Sequence, residues 1–179
     1  MKDRDIKPDL ITFSTLIKGF CKEENIDGAF KVLSEMKQEG IEPDEVLFNS
    51  LLDGCCKCNE LDMALRVHRT MVEQRIKPSN VTFSILIKIY GKSRQLDKAL
   101  NVLAEMKRAG VKPGLIVFTC LIQTCIKSKQ VEMAIEKFHE MKSVNIQGDS
   151  LTYETILKGC LQFKKFPSAC DIVDDAFKN

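Results

Sequence analysis

Long apolar runs, a strong charge of one sign and a second closely spaced cysteine pair are all missing from this 179-residue chain. No apolar stretch approaches the ~20 residues that a membrane-spanning helix needs, so no membrane partner is expected. The net charge of +2 does not announce a nucleic-acid partner by itself, though it leaves room for a local basic stripe. Cys55-Cys56-Lys57-Cys58 contains one C-x2-C step, half of a zinc site, but no other occurs, and His68 and His139 stand apart. No metal and no cofactor are expected. The eight cysteines have uneven spacings unlike a disulfide framework. Most read as small hydrophobes in packing positions, with Cys58 expected to be the exposed, reactive thiol. There is no phosphate loop or nucleophile triad, and Asp174-Asp175 is a lone acidic pair, so neither catalysis nor a small-molecule substrate is expected. The opening MKDRDIKPD holds three acids and no apolar stretch, unlike a signal peptide or an acid-poor transit peptide.

What is present is a period. Pro8, Pro43, Pro78 and Pro113 stand 35 residues apart. Phe13, Phe48, Phe83, Phe118 and Tyr153 keep the same step, as do Ala29, Ala64, Ala99, Ala134 and Ala169, and Met36, Met71, Met106 and Met141. Periods of this size mark stacked repeats. The units run 10–44, 45–79, 80–114, 115–149 and an incomplete 150–179, with 1–9 as the tail of a preceding unit. Each reads as two helices. Phe13, Leu16, Ile17 and Phe20 recur at helical spacing, and Ile26, Ala29, Phe30, Leu33 and Met36 form a second stripe after the polar Glu23-Glu24-Asn25 turn. Asp27, Asp62, Asp97 and Glu132 fall in the first turn of the second helix, where they meet its positive dipole end. Gly40, Gly110 and Asn145 follow its last turn and suit a left-handed closing residue. Arg75 breaks that column, which predicts a different helix ending there. Gly148 replaces the expected proline, and Pro167 sits in a helical first turn that tolerates it. Hairpins apolar on two faces cannot bury a core alone and must stack. The predicted fold is all-α: an α-solenoid of stacked antiparallel helix-turn-helix repeats, nine or ten helices curved into a superhelix.

The run Leu10-Ile11-Thr12-Phe13-Ser14-Thr15-Leu16-Ile17-Lys18-Gly19-Phe20-Cys21-Lys22, with Asp27-x-Ala29, Glu35-Met36-Lys37, Gly40-Ile41 and Pro43-Asp44, resembles the pentatricopeptide repeat. Ile76-Lys77-Pro78 and Val111-Lys112-Pro113 repeat its closing phrase. The absence of tryptophan argues against the 34-residue tetratricopeptide repeat, whose pattern opens on one. Units all of 35 residues look like the pure form of the family. The resemblance implies a right-handed superhelix that reads single-stranded RNA one base per repeat, in a mitochondrion or chloroplast, in RNA processing, stabilisation or translation.

The residues suit that chemistry. Position 2 of each unit is apolar and of a size to sandwich a base: Ile11, Val46, Val81, Ile116 and Leu151. Position 5 holds Ser14, Asn49, Ser84, Thr119 and Glu154, mostly short hydrogen-bonding groups. The last position holds Asp44, Ser79, Gly114 and Asp149, beside the start of the next helix. These are also good helix caps, and capping alone would explain the aspartates. Lys22, Lys57, Lys92 and Lys127 fill position 13, and Lys18, Lys88 and Lys158 position 9, a stripe able to follow phosphates. Positions 1–13 of the successive units carry +2, −1, +2, +1 and 0, together more positive than the whole chain. Asp53 and Gln162 interrupt the stripe, which predicts modest phosphate affinity.

The family's code, carried over, pairs Asn49 with Ser79 for cytosine, Thr119 with Asp149 for guanine, and Ser14 with Asp44 for guanine. Ser84 with Gly114 fits no established pair and reads as a spacer. Glu154 departs from the pattern. The resemblance thus implies 5′-G-C-N-G-3′, with Asp9 as half of a further pair. The alternative is a scaffold that binds proteins of an organellar RNA complex or ribosome, its base-facing columns idle. The opening and closing phrases suggest a stretch of a longer array.

Overall fold

The computed structural model describes residues 8–178, so the tail read at 1–7 lies outside the described residues. Among the described residues every element is a helix: α1 (Leu10–Lys22), α2 (Ile26–Gln38), α3 (Glu45–Lys57), α4 (Leu61–Glu73), α5 (Asn80–Lys92), α6 (Leu96–Arg108), α7 (Leu115–Lys127), α8 (Val131–Ser143), α9 (Ser150–Gln162) and α10 (Phe166–Lys178). Each is 13 residues long. Helices this short are marginal alone in water, so packing of the apolar stripes holds them.

The chain forms two compact units, Met1–Pro78 and Ser79–Asn179. In the first, α1 packs on α2 and α3, and α3 on α4. In the second, α5 packs on α6 and α7, α7 on α8 and α9, and α9 on α10. The period-35 columns are the core. Ala29, Ala64, Ala99 and Ala134 are fully buried, as are Met36, Met71, Met106 and Met141, and Phe13, Phe48, Phe83 and Phe118 nearly so. A fully buried Phe or Met contributes about 1.5–3 kcal/mol. In the second unit Phe118, Ile122, Cys125, Ala134, Phe138, Met141, Ile156 and Cys160 belong to one continuous cluster.

The first helices of neighbouring repeats approach closely where one partner lacks a side chain. A Cβ on Gly54 would lie 2.6 Å from Cys21 Sγ, and one on Gly91 would lie 2.4 Å from Thr124 Oγ1. The missing proline at 148 has a similar cause. A Cβ there would meet the Tyr153 ring at 3.0 Å, and that ring holds its place because its hydroxyl donates to Asp175 at 2.6 Å.

The expectation for Arg75 is corrected. Its φ is 60°, matching Gly40 and Gly110 at 72° and Asn145 at 60°. Arg75 N–H donates to Val72 O at 2.9 Å and Ile76 N–H to Met71 O at 3.0 Å, the pattern that Gly40 and Ile41 make with Lys37 and Met36. The helix therefore ends as the others do, in a left-handed closing residue that satisfies the last carbonyls. The tertiary path overrides the residue's own preference. The turns inside the hairpins do the same: Glu24, Asn59, Arg94, Lys129 and Lys164 all have φ between 54° and 61°. The expectation for Cys58 is also corrected. Cys58 is partly buried with its thiol 3.6 Å from Glu24 O, and the exposed cysteine is Cys170. Burial pushes the Cys21 thiol up to about 11 and the Cys55 thiol up to about 12, so these packing cysteines stay protonated.

Candidate nucleic-acid interface

One apolar column escapes the core. At the second residue of every first helix, Ile11 is 74% exposed, Val46 57%, Val81 48%, Ile116 61% and Leu151 53%. The neighbouring third and fourth positions bury Leu47, Phe48, Thr82, Phe83, Val117, Phe118 and Thr152, so the helix is seated and the second position faces away. Exposed aliphatic side chains at the same position of five repeats are not explained by packing.

Three residues on, the structure separates the candidates. Ser14 and Asn49 are partly buried, Ser84 is only 7% exposed, Thr119 only 6%, and Glu154 is exposed. The Asn49 amide donates to Glu45 at 3.1 Å, Ser84 donates to Val81 O at 2.7 Å, and Glu154 is paired with Lys158. Ser84 thus spends its proton on its own helix, and Gly114 offers no side chain. The Asn80 amide fills that place instead, accepting from Gly114 N–H at 2.7 Å and donating to Lys112 O at 3.1 Å.

The last-position residues do cap helices. Asp44 accepts from Leu47 N–H and Asp149 from Thr152 N–H, each at 2.8 Å, as Asp9 does from Thr12 N–H. Ser79 accepts from Val81 N–H at 3.2 Å, in a capping box with Thr82. Gly114 makes no side-chain cap. In each aspartate the cap uses Oδ1, which leaves Oδ2 to face a second partner.

The Asp149 cap is extended. Thr152 Oγ1 donates to Asp149 Oδ1 at 2.6 Å, and Thr119 Oγ1 lies 2.8 Å from Thr152 Oγ1 and 3.0 Å from Leu115 O. The hydrogen bonds from the Thr152 hydroxyl and amide hold the Asp149 carboxyl below the usual aspartate value. Sequence reading passed over Thr152. The signal was present, since position 3 alternates Thr12, Leu47, Thr82, Val117 and Thr152, but full burial of Thr152 is visible only in three dimensions.

The seven lysines of the stripe are all exposed. Lys57 is paired with Asp53 at 2.9 Å and Lys158 with Glu154, both four residues apart on one helix, which offsets part of their charge toward an anion. Lys18, Lys22, Lys88 and Lys127 make no ion pair among the described residues.

Models of the PPR repeat family match residues 43–92 and 113–162, more than half of the chain, and further PPR repeat models match 4–37 and 81–111. The chain belongs to the PPR repeat family. The fold of this PPR chain is the all-α solenoid of solved relatives. It is similar to the pentatricopeptide repeat protein PPR10 from maize, at 25% identity and a TM-score of 0.78, over 97% of this chain and 25% of that one. PPR10 in complex with an 18-nt psaJ RNA element matches at 23% identity and a TM-score of 0.81, over 99% of this chain and 26% of that one. The PPR domain of Arabidopsis thaliana protein-only RNase P 1, in complex with tRNA, matches at 15% identity and a TM-score of 0.75, over 93% and 88%. The chain thus spans about a quarter of the length of PPR10. No curated protein matches it significantly.

Proposed function

We propose that this PPR chain binds single-stranded RNA along its first helices, one base per repeat, without itself catalysing a reaction. The exposed aliphatic column carries the reading: side chains of that size, in register and turned away from the core, are platforms on which flat bases stack. Each base edge then meets the position-5 residue below it and the free oxygen of the next helix cap. The unpaired lysines follow the phosphates. The family's solved complexes, which hold RNA in PPR10 and tRNA in the RNase P domain, support the class of partner. An organellar transcript is the setting the resemblance implies, with 5′-G-C-N-G-3′ as the preferred order of bases.

Filter binding of pooled short RNAs across a salt series tests this. With four unpaired lysines, log affinity should fall against log salt with a slope of roughly −3. Replacing Val81 and Ile116 by alanine should weaken binding and leave the melting temperature unchanged, because neither side chain is in the core. No binding even at low salt would favour a protein-binding scaffold instead.

A further inference from the structure

We infer that Thr152, outside the two-residue reading pair, is a positioning residue that makes the Thr119–Asp149 site present acceptors only and so select guanine. The inference rests on the RNA-binding reading above and adds a third residue to it.

The argument follows the protons. Asp149 is ionised and can only accept, so the 2.6 Å contact from Thr152 Oγ1 must carry the Thr152 proton. Thr152 Oγ1 then has only lone pairs for Thr119 Oγ1, 2.8 Å away. Two oxygens at that distance need a proton between them, and only Thr119 can supply it. The other acceptor within reach of Thr119 is Leu115 O at 3.0 Å, also inward. Thr152 Oγ1, the nearer of the two, fixes the proton and Thr119 turns a lone pair to a base; without it the hydroxyl keeps only the longer contact along its own helix and is freer to rotate. Asp149 adds its unused Oδ2.

Two adjacent acceptors match the edge of guanine, which offers N1–H and N2–H2 side by side. Adenine, cytosine and uracil each place an acceptor next to a donor on that edge, and one of their lone pairs would face one of the site's. Thr152 is fully buried, so its own hydroxyl never meets RNA and it acts through its neighbours. The Ser14–Asp44 pair is the internal contrast. Position 3 there is Leu47, which supplies its backbone N–H to Asp44 but no hydroxyl to link the pair.

The test measures binding of the 179-residue chain to oligonucleotides that differ only in the base opposite the Thr119–Asp149 pair. Wild type, Thr152→Val and Thr152→Ser are compared, with melting temperatures taken for all three. The readout is the ratio of guanine to adenine affinity, which a uniform loss of folding does not move. Thr152→Val should lower that ratio by roughly three- to tenfold, the scale of one net hydrogen bond, and Thr152→Ser should keep it. A wild-type preference for guanine that survives in Thr152→Val overturns the role of Thr152 alone. A ratio lost equally in Thr152→Ser assigns the effect to packing and also overturns it. Absence of any base preference in wild type overturns the base-reading proposal together with this inference.

Discussion

Arg75 shows what a single residue concedes to the fold. Its φ of 60° places a branched side chain where glycine sits in two of the other three equivalent turns, yet both closing hydrogen bonds form. An L-residue in that region costs roughly 1 kcal/mol, which packing of the Met71 column repays. Arg75→Gly should therefore raise stability by up to about 1 kcal/mol, offset in part by the extra freedom glycine gives the unfolded chain. Denaturant unfolding checks this, and a loss of stability would mean that the guanidinium makes contacts worth more than the strain. Thr152 illustrates the opposite case. Nothing in the sequence singles it out, and only its place between Asp149 and Thr119 gives it a role.

At the scale of the element, the spacing between first helices is set by which residues lack side chains. Gly91 and Gly19 both sit in helices and both cost helix propensity. Their surroundings differ. A Cβ at Gly19 meets nothing within 4 Å, whereas one at Gly91 falls 2.4 Å from Oγ1, 3.0 Å from Cγ2 and 3.2 Å from Cβ of the β-branched Thr124. Gly19→Ala should stabilise by about 0.5–1 kcal/mol. Gly91→Ala should destabilise by about 1–3 kcal/mol, because Thr124 cannot rotate out of the way and α5 must move from α7. Thermal melts of the two variants should shift in opposite directions; a Gly91→Ala protein as stable as wild type would show that the two helices slide freely.

For the whole molecule, several carboxyls share one acid threshold. Hydrogen bonds from Thr12 and Thr152 hold Asp9 and Asp149 low, and Lys165, 2.5 Å away, does the same to Glu132. Burial opposes ionisation of Glu140, but Lys107 and Lys137, each at 2.7 Å, outweigh it and the net shift is downward. Each folded-state value lies below its unfolded one of 3.8 for aspartate or 4.5 for glutamate. The unfolded chain therefore binds more protons in that window, so stability is complete above it and lost as pH falls through the folded values. The melting temperature should hold steady down to about pH 5 and drop below it. A flat profile to about pH 3 would mean that these contacts contribute nothing.

The 35-residue period, the helix pairs, the buried Ala, Met and Phe columns and the family were all legible in the chain itself. Those features depend on which residues recur at one face of a helix, a local property that a linear pattern records. Tertiary structure alone decided that Ser84 and Thr119 at position 5 are almost covered. It also decided that Arg75 closes its helix like a glycine and that Asn80 takes the place beside Gly114. A repeat tells which residues are equivalent, but not how near one repeat lies to the next. The contacts that tune the candidate site join residues 33 or 34 positions apart, and their distances follow from how the hairpins pack.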